Sequence, residues 1–386
     1  MLKKIFKWLG IVLISFTLIL VAVYFYVRPE LPPIIDRNER EIPSFQWRRV
    51  ALGEGVMSSN GSAYYPFVRK GTSNQLMIFF SGGGVAWDKH SAMHPFELSM
   101  LWTKEGYYFK EISPWMMLFM EGILAENNPD NPFNDWNFLF IPYTTADFHT
   151  GNQTEVMEAK GTKRTIHFNG RENTLKSLDW AFDQFPNPEK VLICGESAGA
   201  FGSTFWVPYV ANQYGSSKIY HYADGAMLES PKLPQAAEEL WNANWEENFG
   251  FTPTADLIKG AFIHNGRTLD SLVTFLHSNS LYDEILIQYQ AKINEQPEAG
   301  EKAIQDWSSK MLRSTQAIQS AVPTYYYYLT DYQLDPKTGK TPHTFSRKKD
   351  LFYEVTEDNV RLVDWLSEAI IHNKPRSIGK EFLQGY

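Results

Sequence analysis

Apolar residues in this chain recur in short continuous runs, each followed by a glycine-rich or polar turn and then by a segment of helical period. Residues 75–80, 136–143 and 191–194 are apolar almost throughout, the pattern of strands buried on both faces of a sheet. Residues 218–222, 272–277 and 324–329 read as further strands, and 47–52 with 62–70 as a hairpin turning near Gly55 and Gly61. Helices are predicted over 172–185, 284–293, 301–318 and 357–372, with a short one near 255–262. A further helix, expected to be amphipathic, runs from about residue 198 to Tyr214. Strands alternating with helices predict an α/β fold with a mostly parallel central sheet. In such sheets functional groups gather beyond the carboxyl ends of the strands, however far apart they stand in the chain.

Two stretches depart from this alternation. Residues 89–135 show no clear strand but concentrate aromatic and sulfur side chains, among them Phe96, Trp102, Tyr107, Tyr108, Phe109, Trp115, Met116, Met117, Phe119 and Met120. So many cannot sit in a solvated loop; they predict an insertion forming a helical core layer, with a substrate-facing wall as the second reading. The N-terminus is the other. Lys3, Lys4 and Lys7 precede an uncharged run of twenty residues, Trp8 to Val27. That is long enough to cross a bilayer as a helix, and the lysines place its start on the cytoplasmic side. The run ends in bulky Tyr24-Phe25-Tyr26-Val27 rather than in a small-x-small cleavage site. The expectation is an uncleaved signal anchor over residues 1–28, a stalk over 29–46, and one extracytoplasmic domain over 47–386.

Composition narrows the picture little. A formal net charge of −8, with no basic tract beyond the N-terminus, argues against a nucleic-acid partner. The single cysteine, Cys194, rules out an intrachain disulfide and lies in a predicted core strand.

The chemistry begins at Gly195-Glu196-Ser197-Ala198-Gly199. Here G-x-S-x-G sits between a buried strand and a helix, the context in which it forms a nucleophile elbow. A serine so placed stands at a helix head, where amide N–H groups favour developing negative charge. A serine nucleophile requires a base and an acid that orients the base. In α/β-hydrolase-like folds the chain order is serine, acid, histidine. Of the histidines downstream, His221 and His277 lie in predicted strands and His372 ends a helix; His343 lies in the loop after the last strand, where the base belongs. Asp224 and Asp283 both follow strands. The usual acid position favours Asp283, whereas Asp224 beside Gly225 also reads as a turn former. The Ser81-Gly82-Gly83-Gly84 loop after the strand at 75–80 suits an oxyanion-binding N–H. Asp147, His149 and His167 match no metal-binding spacing, and no cofactor is expected; Asp147 and Asn152 are read as hydrogen-bonding within a loop near the site.

Residues 81–88, 143–152, 195–202, Tyr282-Asp283-Glu284 and His343 together resemble the pectinacetylesterase family of serine carboxylesterases, which includes Notum-like enzymes. The resemblance runs from about Leu76 to His343 in the same order. It implies a Ser197–Asp283–His343 triad, an oxyanion hole from the N–H groups of Gly83, Gly84 and Ala198, and hydrolysis of acyl esters, often acetyl groups on polysaccharide. Within that class a lipid-type carboxylesterase is the alternative, and outside it a non-catalytic cell-surface carbohydrate-binding protein. The chain departs from the family in its cysteines: Ala86 stands where relatives often carry one.

Overall fold

The computed structural model describes Trp8, Ser15, Thr17 and residues 26–384, apart from 99, 127, 160 and 297–299. The sheet contains β1 (Ile34–Asp36), β2 (Trp47–Ala51), β3 (Phe67–Arg69), β4 (Gln75–Phe80) and β5 (Asn137–Ile141). A separate antiparallel hairpin follows, β6 (Gln153–Ala159) and β7 (Thr162–Phe168). The sheet resumes with β8 (Lys190–Glu196), β9 (Lys218–Asp224), β10 (Val273–Ser280) and β11 (Tyr325–Thr330). Its nine strands stand in the order β1-β2-β3-β5-β4-β8-β9-β10-β11. From β5 to β11 all neighbours are parallel, while β3 runs antiparallel to both β2 and β5. The expected mixed α/β architecture, with a large and mostly parallel sheet, is therefore present.

Alternation within the strands divides the core into two layers. Leu76, Ile78 and Phe80 of β4 enter one hydrophobic cluster, while Met77 and Phe79 enter the other. In β8, Val191 and Ile193 share the first face, and Leu192 and Cys194 the second. This is the two-residue period of a strand covered on both sides. The first layer receives the helices Gly170–Gln184, Ala198–Gln213 and Leu257–Leu269; the second receives Leu362–Ile370.

Connectivity fixes where a site can form. The chain leaves β4 for β5 on one side, then returns past β4 to place β8 on its other side. The strand order thus reverses between β4 and β8, opening a crevice beyond their carboxyl ends. The glycine loop follows β4 and the G-x-S-x-G turn follows β8.

Several sequence expectations are corrected. The helix Ala198–Gln213 is not amphipathic: from Ala198 through Val207 every residue is buried, because strands, helices and the aromatic loops enclose it. The 89–135 insertion is not a helical layer. Among its described residues it holds only short turns of helix, Lys89–Met93, Met100–Thr103, Pro114–Phe119 and Gly122–Leu124. Its apolar side chains divide: Tyr108 and Ile123 are buried, while Phe109, Leu118 and Phe119 are exposed. The stretch read as stalk adds the edge strand β1, parallel to β2, and Arg49 Nε donates to the Pro32 carbonyl at 2.7 Å. The apolar run Trp8 to Val27 lies, for all but a few residues, outside the described residues. Among the described residues no helix is long and apolar enough to cross a membrane.

Candidate active site

β8 and the following helix meet at a turn too tight for side chains on its glycines. A Cβ on Gly195 would stand 2.3 Å from the Gly199 carbonyl oxygen, and one on Gly199 would stand 2.1 Å from that of Phe80. Between them Ser197 adopts φ 51° and ψ −126°, a region costly for any residue with a side chain. Its N–H donates to the Asp224 carbonyl at 2.8 Å, which ties the elbow to the end of β9. Ser197 immediately precedes the buried helix, so the positive end of the helix dipole faces it. The glycine loop lies alongside: a Cβ on Gly82 would fall 2.8 Å from the Cβ of Ser197. Among the described residues, no carbonyl accepts a hydrogen bond from Gly83, Gly84 or Ala198 N–H. These three N–H groups, expected to line an oxyanion hole, thus have no backbone acceptor among the described residues.

Asp283 and His343, the expected acid and base, come together from loops sixty residues apart. Asp283 caps the helix Glu284–Ile293, its Oδ1 accepting from Ile285 N at 3.0 Å and Leu286 N at 2.8 Å. Its Oδ2 accepts from His343 Nδ1 at 2.7 Å. Two backbone bonds zip the loops beside this contact, Glu284 N to Thr341 O at 3.1 Å and Thr341 N to Tyr282 O at 3.0 Å. Because Nδ1 carries the proton given to Asp283, Nε2 is left as the basic nitrogen. The Asp283 side chain is 1% exposed and that of His343 13%. Burial disfavours the imidazolium, but the Asp283 carboxylate more than offsets this through charge and hydrogen bond. Glu196 adds to the effect and Lys348 opposes it, and the net result lies above the ordinary histidine value of 6.5. The ring packs over Gly225, next to the strand end that holds Ser197; a Cβ there would lie 3.6 Å from His343 Cε1.

Asp224 does not touch His343. Its Oδ1 accepts from Ser278 Oγ at 2.8 Å, and its Oδ2 from Phe345 N at 2.8 Å and Ser346 N at 2.7 Å. Its side chain anchors the backbone of the loop that carries His343, a role beyond the turn expected beside Gly225. Asp147 accepts from Thr145, His149 and Gly170, a buried loop anchor as expected. His149 Nε2 faces the Ser81 carbonyl at 3.1 Å, and His167 Nδ1 faces Thr154 on the separate hairpin. The Cys194 thiol is buried in the second core layer, and burial raises its pKa well above the ordinary value.

Sequence reasoning passed over Glu196 and Arg347. Glu196 Oε1 accepts from Arg347 Nη1 at 2.6 Å, and its Oε2 lies 3.4 Å from Thr344 Oγ1. Arg347 Nε donates to the Phe119 carbonyl at 2.8 Å, and its guanidinium lies over the Phe140 ring at 5.3 Å. One ion pair thus links the elbow, the base loop and the aromatic insertion. The only signal available was the charged residue inside the motif itself; nothing in the sequence pairs it with a position 151 residues away.

Similarity to known proteins follows the same residues. Residues 51–242 match the family described as pectinacetylesterase, a span holding the glycine loop and the elbow but not Asp283 or His343. A palmitoleoyl-protein carboxylesterase Notum from Schmidtea mediterranea is 24% identical over 181 residues. That match covers 43% of this chain and 30% of the planarian protein, so the chain spans under a third of this curated relative's length. Two crystal forms of the Wnt deacylase Notum from Drosophila superpose with a TM-score of 0.55 at 15% and 14% identity. They cover 84% of this chain and 92% and 93% of theirs, a likeness that concerns the fold. Motif, matched span and fold agree, and the chain belongs to the pectinacetylesterase and Notum-like family.

Proposed function

We propose that this protein is a serine carboxylic ester hydrolase in which Ser197 is the nucleophile, His343 the general base and Asp283 the residue that orients it. The observation that carries the reading is the 2.7 Å bond from His343 Nδ1 to an Asp283 carboxylate already fixed by two backbone N–H groups. When the ring is neutral, this bond leaves its Nε2 as the basic nitrogen; the ring packs over Gly225, whose neighbour Asp224 holds the N–H of Ser197 on its strained elbow. Ser197 Oγ attacks the acyl carbonyl as His343 Nε2 takes its proton. The N–H groups of Gly83, Gly84 and Ala198 receive the oxyanion, each such donor being worth about 2.7–4 kcal/mol where one has been removed. His343 returns the proton to the departing alcohol. Water, activated by the same nitrogen, then frees the acyl group from Ser197.

The family name supports an acetyl ester on a sugar hydroxyl as substrate. A second reading, a longer acyl chain, is supported by the exposed apolar side chains of the insertion, since Phe109 stands against Gly83 and Phe119 holds Arg347. The deciding experiment measures kcat/KM on aryl esters from acetyl to dodecanoyl, with acetate release from acetylated pectin and xylan. Acetyl preference with polysaccharide deacetylation supports the first reading. A steady rise with chain length and no acetate released selects the second.

The lysines before the apolar run support tethering of the catalytic domain outside the cytoplasm by residues 8–27. External protease on spheroplasts should then release or digest the domain. A mature N-terminus beginning after the run would establish a cleaved signal peptide instead.

A further inference from the structure

After the glycine loop, His90, the second residue of the short helix Lys89–Met93, and His94, its C-cap, stand four residues apart. Their rings lie 4.3 Å apart between centroids. Glu105, from the segment that returns toward the loop, presents one carboxylate to both. Its Oε1 lies 3.8 Å from His90 Nε2 and its Oε2 lies 3.4 Å from His94 Nε2. One ligand atom from each residue lies within 4.8 Å of the other two.

We propose that His90, His94 and Glu105 bind a divalent transition metal of the zinc type, with water completing the shell. Three features support this. The donor set is two imidazoles and a carboxylate, the mixture zinc accepts. The spacing is close to that of a filled site: ligands of a tetrahedral zinc, at about 2.0–2.1 Å from the ion, stand roughly 3.3 Å from one another. The 3.4 and 3.8 Å separations reach the two different oxygens of Glu105, so side-chain adjustment would bring them to that value with the carboxylate bound through both oxygens or turned to offer one. Finally, one ring is already oriented, because His94 Nδ1 donates to the His90 carbonyl at 2.7 Å and turns the Nε2 lone pair toward Glu105. A ring nitrogen bonded in this way fixes tautomer and direction for a metal on the other. All three side chains are partly exposed, which leaves an entry path and room for water.

The site would not act on the ester; it would clip the backing of the glycine loop. Glu105 leads into Tyr107, whose N–H donates to the His94 carbonyl at 3.0 Å. The Tyr107 carbonyl accepts from Val85 N at 3.0 Å and from the Tyr289 hydroxyl at 2.7 Å, and Phe109 N donates to the Gly83 carbonyl at 3.1 Å. A metal joining residues 90 and 94 to residue 105 would hold together the two segments on which residues 83–85 rest.

The test uses the untagged full chain in detergent, stripped with chelator and titrated with zinc chloride by calorimetry and with cobalt(II) by visible absorption. The expected result is one equivalent bound, a tetrahedral-type cobalt spectrum, and a raised thermal midpoint with zinc. His94→Ala and Glu105→Gln should each weaken binding by more than about tenfold. His264→Ala, on a partly exposed ring outside the cluster, should leave it unchanged. Glu105→Gln keeps shape on an accessible side chain, so it reports even where His94→Ala unfolds the loop. Absence of stoichiometric binding, or binding of equal strength in Glu105→Gln, overturns the proposal and leaves two ordinary histidine–carboxylate contacts.

Discussion

Two buried aspartates, Asp224 at the end of β9 and Asp283 in the turn after the neighbouring β10, both serve the loop that carries His343. Asp224 holds that loop by its backbone, at Phe345 and Ser346. Asp283 holds its ring, at Nδ1. Each carboxylate has one oxygen committed to local structure, Ser278 in the first case and the helix cap in the second. They differ in what the second oxygen meets. A carboxylate that meets two peptide N–H groups fixes a chain path, whereas one that meets an imidazole selects a tautomer and supports a charge that comes and goes. Position after a strand does not decide the role; the partner does.

The largest expected effect tests the premise that there is a nucleophile for this apparatus to serve. Ser197→Ala should reduce turnover of aryl acetate by about 10⁶-fold, the scale seen when a triad serine is removed. It should also abolish labelling by a fluorophosphonate. Labelling that survives the substitution would assign the nucleophile elsewhere. Next in size is Asp283→Asn, which keeps shape but stabilises the wrong imidazole tautomer, with a loss of about 10⁴ in kcat. If Asp224→Asn shows that loss and Asp283→Asn does not, the two strand ends have been assigned in reverse.

A smaller effect lies in the pH profile. His343 must be neutral to act as a base, and its pKa is raised above 6.5 by Asp283 despite burial. Activity on an uncharged ester should therefore fall tenfold per pH unit once pH drops below that raised value. Stability runs the other way: the protonated ring is favoured in the folded state, so its contribution is complete below 6.5 and is lost as pH rises through the folded pKa. Residual activity of Asp283→Asn should titrate at lower pH than wild type, because burial then acts without the carboxylate. An unchanged midpoint would show that Asp283 does not set the charge of His343. Arg347→Lys, which keeps charge but loses the fork between Glu196 and the Phe119 carbonyl, should lower kcat about tenfold with KM little changed, the loss expected when a supporting residue is disturbed. Equal rates would limit that ion pair to a structural role.

How much of this was legible in the sequence follows from the range of each interaction. The elbow is local: a buried run, two glycines and a serine within a dozen residues determine strand, turn and helix. The Asp283 and His343 loops were placed by strand order and by the family resemblance, since the acid-to-base bond spans sixty residues and leaves no local mark. The double role of Asp224 was invisible because its donors are peptide N–H groups, identical at every position. The β6–β7 hairpin was missed because its residues, such as Thr154, Glu155, Lys163 and Arg164, are polar and lie outside the main sheet. The helix after the elbow was misread because its companions, Trp241, Trp245 and Phe262, come from a distant loop and two later helices that bury the side a lone helix would expose. The aromatic insertion was misread in the opposite sense, since richness in apolar residues does not say which of them reach water.

The smallest expected effect on rate is also the one that separates the two aspartates most sharply. Asp224→Asn leaves the Asp283–His343 contact untouched, so kcat of the folded enzyme should stay within about tenfold of wild type, well short of the 10⁴ loss expected at a triad acid. What it should lose is stability. An amide cannot accept at both ends: with its nitrogen toward the loop it leaves the peptide N–H groups of Phe345 and Ser346 without an acceptor in a fully buried place, and with its nitrogen toward Ser278 it forces that hydroxyl to accept and to turn its proton to the Tyr222 hydroxyl, which then loses its own acceptor. The cost of such an orphan is about 1–3 kcal/mol. Burial also raises the pKa of Asp224 itself, outweighing the hydrogen bonds from Ser346, Phe345 and Ser278. The wild-type folded state therefore takes up this proton more readily than the unfolded chain, and the site's contribution to stability declines as pH rises from the ordinary aspartate value through the raised one. Asp224→Asn, having no such proton, should lose that part of the pH dependence of the thermal midpoint while keeping the His343 step in its activity profile. A variant as stable as wild type but catalytically dead would mean that Asp224, and not the backbone it holds, acts in the chemistry.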